Sequence, residues 1–351
     1  MATKTESSSS KGRSRLPFII AGVAAVIIAA VALAALVLGN QGGAGESGSQ
    51  SQQMQQMAQD AAAPEEPARA SGVEHILLIG DDKWVDDIPG RSDLIVLLRV
   101  DFDEGILTQV SIPRDTAHDQ GDGSLVKLNS VYESSGPEAL CAAVSELTGV
   151  EVDQYAVVGF DGFQSIVSHF DGIEVDVPYS VTYSFYTHDY PDETFQAGEQ
   201  VLDAWRAMAL SRSRTGYSQY GLNEDMMRQV VDRQMLTTLM GYVLTKADDP
   251  AATAEQLLAF VSTNIPSETV VLWVETLASL DELTVYGTSG PVDGGIDAAS
   301  GLWLTPQYPE KWAALMDVVE AGEDPSTVDV QLDSTAQSDH APIDTATVLA
   351  H

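Results

Sequence analysis

HILLIGDDKWVDDIPGRSDLIVLLRVDFDEGILTQVSI, residues 75–112, is the stretch of sequence that decides the fold. It contains three apolar runs of strand length, at residues 75–80, 94–100 and 106–112. The first run is apolar from Ile76 onward and ends in glycine, which is typical of a buried strand. The other two are separated by Asp-Phe-Asp-Glu-Gly, a turn signal, so the three runs predict neighbouring strands of one sheet.

Helical and strand patterns alternate through the rest of the chain. Further strands are predicted at 155–160, 173–177 and 283–286, and a loop at 179–197. Helices are predicted at 137–147, 161–170, 199–210, 225–245, about 251–263, 267–279 and 309–320. Helices that alternate with strands on a partly hairpin-like sheet predict an α/β/α sandwich with a central mixed β-sheet.

The N-terminal region carries a long apolar run, LPFIIAGVAAVIIAAVALAALVL, at residues 16–38. It holds more than enough uncharged residues to cross a bilayer as one transmembrane helix. A cleaved signal peptide is the alternative, although its apolar region is usually shorter, roughly 7–15 residues. The basic residues before the run predict that residues 1–15 are cytoplasmic and that the rest lies outside the cell. We therefore expect a single-pass protein of the cytoplasmic membrane.

The part of the chain beyond this run divides by composition into three segments. Residues 39–72 are rich in Gly, Ser, Gln, Ala and Pro and predict a flexible extracellular linker. Residues 73–322 hold the periodic patterns and predict the folded domain. Residues 323–351 are acidic and lack an apolar period, so they predict a disordered tail.

Charge and cysteine content exclude several classes of protein. The formal net charge is −35, and the cytoplasmic segment is too short to fold, so no nucleic-acid partner is expected. One cysteine, Cys141, permits neither an intrachain disulfide nor a cysteine-bound zinc. No histidine pair has metal-ligand spacing, and no Gly-x-Ser-x-Gly elbow is present, which argues against a serine hydrolase.

Polar residues follow or open the predicted strands and form a candidate site. Asp82 lies just past the first strand, Arg91 and Asp93 open the second, and Arg114 and Asp115 follow the third. Ligands in open α/β sheets bind outside the strand ends. The carboxylates there can hold Mg²⁺ and the arginines can bind phosphate. Capping of helices and turns is the competing interpretation, and spacing alone leaves both open.

The order of several short strings resembles the extracellular domain of the LytR–CpsA–Psr family over roughly residues 74–245. These strings are HILLIGDDKW, GRSDLIVLLRV, GILTQVSIPRDT, VKLNSVY, QYAVVGFDGFQSIV, GIEVDVP and ALSRSR. The resemblance implies a phosphotransferase that moves an anionic glycopolymer from an undecaprenyl-diphosphate carrier to peptidoglycan, with Mg²⁺ as cofactor and a possible diphosphatase side activity. The alternatives are a non-catalytic polyprenyl-phosphate-binding membrane sensor or transcriptional attenuator, and a binding module that has lost catalysis.

The resemblance also implies roles for individual residues. Asp82 and Asp93 match the metal aspartates, and Asp81 is an alternative to Asp82. The implied catalytic set is Arg114, Asp93, Asp82 and Asp115, the last as a candidate general base. The implied diphosphate-binding set is Arg91, Arg114, Arg212, Arg214, Arg228, Gln229, Arg233, Lys127 and Asn129.

The sequence departs from the family pattern at two positions. Trp84 stands where an arginine often follows Gly-Ser-Asp-x, and Asp225 stands in place of the first arginine of Arg-x-x-Arg-Gln. Arg233 is a possible substitute for that arginine. On an ideal helix Arg228 and Arg233 diverge by roughly 140°, so both need not contact the same ligand. Which of the two binds diphosphate stays open at this point.

Overall fold

The computed structural model describes residues 68–83, 90–184, 192–214, 216–330 and 345–350. Its strands, in chain order, are β1 (Val73–Asp81), β2 (Ser92–Asp101), β3 (Ile106–Ser111), β4 (Ala117–Asp119), β5 (Leu125–Lys127), β6 (Gln154–Gly159), β7 (Ile173–Val177), β8 (Val181–Tyr183), β9 (Glu193–Phe195), β10 (Gly198–Leu202), β11 (Ser262–Thr263), β12 (Glu282–Ser289), β13 (Gly295–Ile296), β14 (Trp303–Leu304) and β15 (Thr345–Ala350). Within these residues the central sheet has seven strands in the order β11-β6-β1-β2-β3-β12-β15.

The sheet is mixed, and its strand directions define one functional edge. β1 pairs antiparallel with β2 and parallel with β6, while β3 pairs antiparallel with β2 and parallel with β12. The C-terminal ends of β1, β3, β6 and β12 therefore lie at the same edge, together with the start of β2. The sequence following 75–80, 106–112 and 155–160 is brought to this edge, as the strand pattern predicted.

Two layers of helices enclose the sheet because its strands bury both faces. Leu77 and Ile79 of β1 belong to one apolar core, and Ile76 and Leu78 belong to the other. The helices are α1 (Leu128–Thr148), α2 (Phe160–His169), α3 (Ala204–Ser211), α4 (Glu224–Gly241), α5 (Pro250–Leu257), α6 (Ser267–Ala278) and α7 (Pro309–Glu320). Helices α1 and α7 pack on the first face, and α2 to α6 pack on the second. The predicted three-layer fold with a central mixed sheet is confirmed.

The sequence predicted that helix α1 starts at Pro137, but the helix begins nine residues earlier, at Leu128. Two helical stretches run together here, and Gly136 with φ of 83° interrupts them. Proline lacks a backbone N–H, and glycine adopts positive φ at little cost, so the pair permits a kink. The earlier start matters because it places Asn129 directly beside the loop of Arg114, whose carbonyl accepts the Asn129 N–H at 3.1 Å.

The helix predicted at 199–210 is wrong in its first half. Residues 198–202 form β10, which pairs antiparallel with β7 away from the central sheet. The helix begins only at Ala204, where the Asp203 side chain caps it by accepting the Arg206 N–H at 2.8 Å. The loop predicted at 179–197 is also partly wrong, because β8 and β9 pair within it. These segments are strands because each pairs with another strand, and local periodicity does not indicate such pairing.

The prediction of a disordered tail at 323–351 is wrong for both of its described segments, residues 323–330 and 345–350. Val330 is buried in the core beside α7, and residues 345–350 form β15, the edge strand that pairs antiparallel with β12. Leu349 buries its side chain in the opposite core. The acidic average composition of the tail concealed a short uncharged strand, TATVLA.

The predicted transmembrane helix at 16–38, the cytoplasmic segment 1–15 and nearly all of the predicted linker lie outside the described residues. In the portion of the chain that is described, the helices are all too short or too polar to cross a bilayer.

Candidate functional site

A cavity of about 320 Å³ opens at the functional edge of the sheet. The ends of β1, β6 and α3, the starts of β2 and α2, and one face of α4 form its walls. Its charged lining residues are Asp81, Asp82, Asp93, Arg212, Arg214, Glu224, Arg228 and Asp232. Its apolar lining residues are Leu78, Ile79, Leu94, Val158, Phe160, Phe163, Met235, Leu236 and Leu239. The cavity therefore combines a charged region with an apolar region, as a ligand with an anionic head and a hydrocarbon chain requires.

Three aspartates gather where β1 ends and β2 begins. The Asp82 carboxylate accepts the backbone N–H of Arg91 at 2.6 Å, which ties the two strand ends together. Burial raises the pKa of Asp82, and the neighbouring charges of Asp93 and Asp81 raise it further. Asp81 accepts a hydrogen bond from the Tyr132 hydroxyl at 3.1 Å. Three carboxylates thus share the mouth of the cavity at these strand ends.

Arg114 lies behind the cavity and connects β2 to α4. It follows Pro113, and its guanidinium bonds the Asp93 carboxylate. On its other side, the Arg114 Nε lies 3.8 Å from Asp225 Oδ1. Arg114 is mostly buried and does not line the cavity. It therefore acts on the cavity through Asp93, which does line it.

The start of α4 supplies a second group of charges. The Asn223 side chain caps the helix by accepting the N–H groups of Asp225 and Met226. Arg228 donates from Nη2 to Asp225 at 3.2 Å and from Nη1 to Asp232 at 3.0 Å. Burial raises the pKa of Asp232 to about 7, although Arg228 lowers it. Burial would raise the pKa of Asp225 as well, but Arg228 and Arg114 bring it below its ordinary value.

The end of α3 supplies two further arginines. Arg212 is the C-cap of α3, and Arg214 follows two residues later. Both line the cavity. The Arg212 guanidinium carbon lies 4.5 Å from the centroid of the Phe160 ring, a cation–π contact that fixes the side chain at the cavity wall.

The structure separates the predicted site residues into two groups. Those that line the cavity are Asp82, Asp93, Arg212, Arg214 and Arg228, together with the alternative Asp81. Those outside the lining are Arg91, Arg114, Asp115, Lys127, Asn129, Gln229 and Arg233.

Each residue in the second group that carries charge has a structural partner. Arg91 pairs with Glu133 at 2.8 Å, and Lys127 pairs with Asp115 at 2.7 Å. Arg233 is nearly fully buried between α4 and the sheet, where it donates to Ser111 and Ser289. The structure therefore places Arg228, and not Arg233, at the cavity. Trp84, the other departure, lies outside the described residues.

Several lining residues were missed by the sequence reasoning. Tyr183 and Ser184 come from a segment that was predicted as a loop, and Glu224 and Asp232 come from α4. One signal was available, because residues 228, 232, 235, 236 and 239 follow helical spacing. Their side chains change from charged to apolar along one face of α4. The helix therefore extends from the charged region of the cavity to its apolar region.

Fold and cavity together define a three-layer α/β protein whose cavity joins a charged region to an apolar region. The chain belongs to the LytR_cpsA_psr family, which it matches over residues 41–307. Membership confirms the family resemblance carried by the Ser-Ile-Pro-Arg-Asp-Thr and Asp-Gly-Phe strings.

Named relatives and solved structures agree with this membership. The chain is 28% identical over 220 residues to the polyisoprenyl-teichoic acid–peptidoglycan teichoic acid transferase TagV of Bacillus subtilis, covering 62% of this chain and 54% of TagV. It is 26% identical over 242 residues to a similarly named TagU of Oceanobacillus iheyensis, covering 65% and 69%. The match thus spans about half the length of TagV. The crystal structure of B. subtilis TagV shares the fold, with a TM-score of 0.55 at 24% identity over 70% of this chain and 96% of that one. TagT bound to LIIa-WTA does so with a TM-score of 0.56 at 18% identity, covering 76% and 97%.

Proposed function

We propose that this protein is a phosphotransferase that moves an anionic glycopolymer from an undecaprenyl-diphosphate carrier to peptidoglycan. The observation that carries the proposal is the cavity, in which three arginines lie next to an apolar wall. Guanidinium groups match phosphate oxygens, and the apolar wall suits a polyprenyl chain. The names of TagV and TagU describe transferases of teichoic acid, which supports the same substrate class.

The residues of the cavity suit a displacement at phosphorus. Arg212, Arg214 and Arg228 would hold the diphosphate and offset the charge that develops during transfer. An acceptor hydroxyl of peptidoglycan forms a bond to the sugar-linked phosphorus, and the bond from that phosphorus to the bridging oxygen breaks. Polyprenyl phosphate leaves with the electron pair. The hydroxyl proton passes to a base, for which Asp115 was the candidate. The Lys127 ion pair and the position of Asp115 outside the cavity lining weigh against that assignment.

The aspartates at the strand ends fit a magnesium ion shared with the ligand. Among the described residues no cluster of three or more His, Cys, Asp or Glu side chains has a metal-binding arrangement. Mg²⁺, however, commonly takes one or two carboxylates and completes its shell with phosphate and water. Asp82 and Asp93 both line the cavity, and the charges of Asp93 and Asp81 add to the rise in the pKa of Asp82 that burial causes. These two residues would hold Mg²⁺, whose charge would neutralise phosphate oxygens.

One observation favours the non-catalytic polyprenyl-phosphate-binding alternative. Arg114 and Arg228 are each engaged by the protein's own carboxylates, including Asp225, where the family pattern has an arginine. The same purified protein distinguishes the two functions. A transferase releases polyprenyl phosphate when it is given a lipid-diphosphate sugar, a peptidoglycan oligosaccharide and Mg²⁺, whereas a sensor binds the lipid and releases nothing.

Filling the apolar part of the cavity tests whether it receives the polyprenyl chain. Leu236→Trp is expected to weaken binding of a long polyprenyl diphosphate at least about tenfold, because excluding one isoprene unit forfeits roughly 3 kcal/mol of apolar burial. Binding of inorganic pyrophosphate should be unchanged. Val201→Trp, on an exposed position of β10, is the matched control. Equal binding of the long lipid by Leu236→Trp and Val201→Trp would place the chain elsewhere.

We also propose that residues 16–38 anchor the protein in the cell membrane, with residues 1–15 in the cytoplasm and the catalytic domain outside. The support is the uncharged run and the basic residues before it. In cell fractionation, the full chain should remain with the membrane after a high-salt wash. Release of a mature form that begins near residue 40 would contradict the anchor and favour a cleaved signal peptide.

A further inference from the structure

Five charged residues of alternating sign form a continuous chain behind and along the cavity. Asp93 pairs with Arg114, Arg114 lies beside Asp225, Asp225 pairs with Arg228, and Arg228 pairs with Asp232. The series begins at the start of β2, passes through the loop after β3 and continues along α4. It therefore links three elements that do not adjoin one another in sequence.

The position of each member relative to the cavity shows how the series works. Asp93, Arg228 and Asp232 line the cavity, whereas Arg114 and Asp225 stand behind it. The two hidden members connect Asp93, proposed to hold the cation, to Arg228, proposed to bind phosphate. The distance between these two ligand-binding groups thus depends on residues that the ligand does not touch.

Asp225 is the middle residue of this series and lies between its two arginines. Its Oδ1 accepts from Arg228 Nη2 at 3.2 Å and lies 3.8 Å from Arg114 Nε. Its Oδ2 accepts from the Gln229 amide at 3.2 Å. One oxygen therefore faces both arginines, and the other is held by the helix that carries Asp225.

We infer that Asp225 is a positioning residue that fixes Arg114 and Arg228 as one unit, in place of the phosphate-binding arginine that the family pattern carries there. This inference rests on the proposed function, because the unit it fixes serves a diphosphate. A side-on contact to a guanidinium engages only part of its five N–H donors. Arg228 donates three N–H groups to Asp225 and Asp232 in all, and the remaining donors are available to a ligand.

A rival effect acts in the opposite direction and must be separated from positioning. Asp225 carries a negative charge near the phosphate site, so removing that charge by itself favours anion binding. The decisive comparison is therefore between variants that share the same charge. Asp225→Asn keeps an acceptor oxygen toward the arginines, and Asp225→Leu has similar size without one.

The Asn variant is compatible with its surroundings. Its amide nitrogen would replace Oδ2 and face Gln229. The Gln229 Oε1 atom has no hydrogen-bond partner among the described residues, so a rotation of the Gln229 amide presents an acceptor to the new N–H group. The Asn side chain can thus keep both of its contacts.

The experiment measures binding of geranylgeranyl diphosphate to the purified protein and to its variants. Asp225→Asn is expected to bind at least about tenfold more tightly than Asp225→Leu, because only Asn retains a charge-assisted acceptor for the arginines. Asp225→Ala is a second variant without an acceptor, and Asp317→Asn on the exposed face of α7 is the control for charge removal. Melting temperatures confirm that the compared variants are folded.

A double-mutant cycle adds an independent readout. The effects of Asp225→Leu and Arg114→Met on diphosphate binding should be coupled, because Asp225 lies directly beside Arg114. The effects of Asp232→Asn and Arg114→Met should be nearly additive, because Asp232 contacts Arg228 but not Arg114.

The outcomes separate this inference from the proposed function. If the unmodified protein does not bind geranylgeranyl diphosphate, the proposed function fails. If it binds, and Asp225→Asn loses as much affinity as the variants without an acceptor, positioning by Asp225 is refuted. Failure of both acceptor-free variants to fold would assign Asp225 to the fold and would equally refute the inference.

Discussion

Replacing both Asp82 and Asp93 with Asn is expected to lower the rate of glycopolymer transfer at least about a hundredfold, a barrier increase of roughly 2.7 kcal/mol. The reason is that Asn keeps the size and hydrogen bonding of Asp but removes the two charges proposed to hold Mg²⁺. Binding of polyprenyl diphosphate without metal should survive or strengthen, because the cavity loses two negative charges, one of them the Asp93 partner of Arg114.

This split between binding and turnover is what distinguishes a metal site from a structural pair. The measurements are lipid binding and transfer rate, each with and without Mg²⁺, with Asp317→Asn as the control. A structural pair would lose fold, binding and turnover together. Full Mg²⁺-dependent turnover in the double variant would refute the assignment, and Asp81 would then be the next residue to test, since it also lines the cavity.

Arg212→Ala is expected to weaken binding of polyprenyl diphosphate by about tenfold to a hundredfold, because a hydrogen bond to a charged group contributes roughly 1.5–3 kcal/mol. Arg212 lines the cavity at the C-cap of α3 and contacts the Phe160 ring through its guanidinium plane. It is not part of the buried series of ion pairs, so its removal should leave the melting temperature nearly unchanged.

Arg212→Lys provides the matched comparison. Lysine keeps the charge but loses the planar fork and its stacking on Phe160, so it should recover only part of the affinity. Binding is measured by titration of geranylgeranyl diphosphate at two salt concentrations. If Lys restores binding fully, Arg212 contributes only its charge, and if Ala binds as tightly as the unmodified protein, Arg212 has no part in ligand recognition.

The fold followed from the sequence where local pattern and final structure agree. The run HILLIG is apolar at every position except His75, and β1 is indeed buried on both faces. Helix α7 was predicted with its exact bounds, since Pro309 starts a regular apolar spacing. Residues 198–202 and 345–350 were missed because their strand character depends on pairing with β7 and β12, and a single stretch of sequence does not specify such a partner.

The candidate site was predicted in outline, and its details needed tertiary structure. Strand order was enough to bring Asp82 and Asp93 to one edge, and the family resemblance added Arg212 to the site. It was not enough to distinguish Arg228 from Arg233, since the same side-chain chemistry occupies two faces of one helix. Nor did the sequence show that Arg114 reaches the cavity through Asp93, because that depends on how the loop after β3 meets β2.

The direction of β1 has a consequence for how the domain stands on a membrane. The chain enters the sheet at Val73 and reaches the cavity edge only at Asp81, about 26 Å further along at the usual rise of a strand. If the proposed anchor holds, the point of attachment and the mouth of the cavity lie at opposite ends of the sheet. The domain must then tilt so that the mouth of the cavity faces the membrane, where the lipid substrate lies. The 31 residues from 39 to 69, before Ala70 packs into the core, reach at most about 110 Å when fully extended. With this anchor, the length of the tether would determine how the cavity mouth meets the bilayer. It would also limit how far from the membrane the peptidoglycan acceptor can lie.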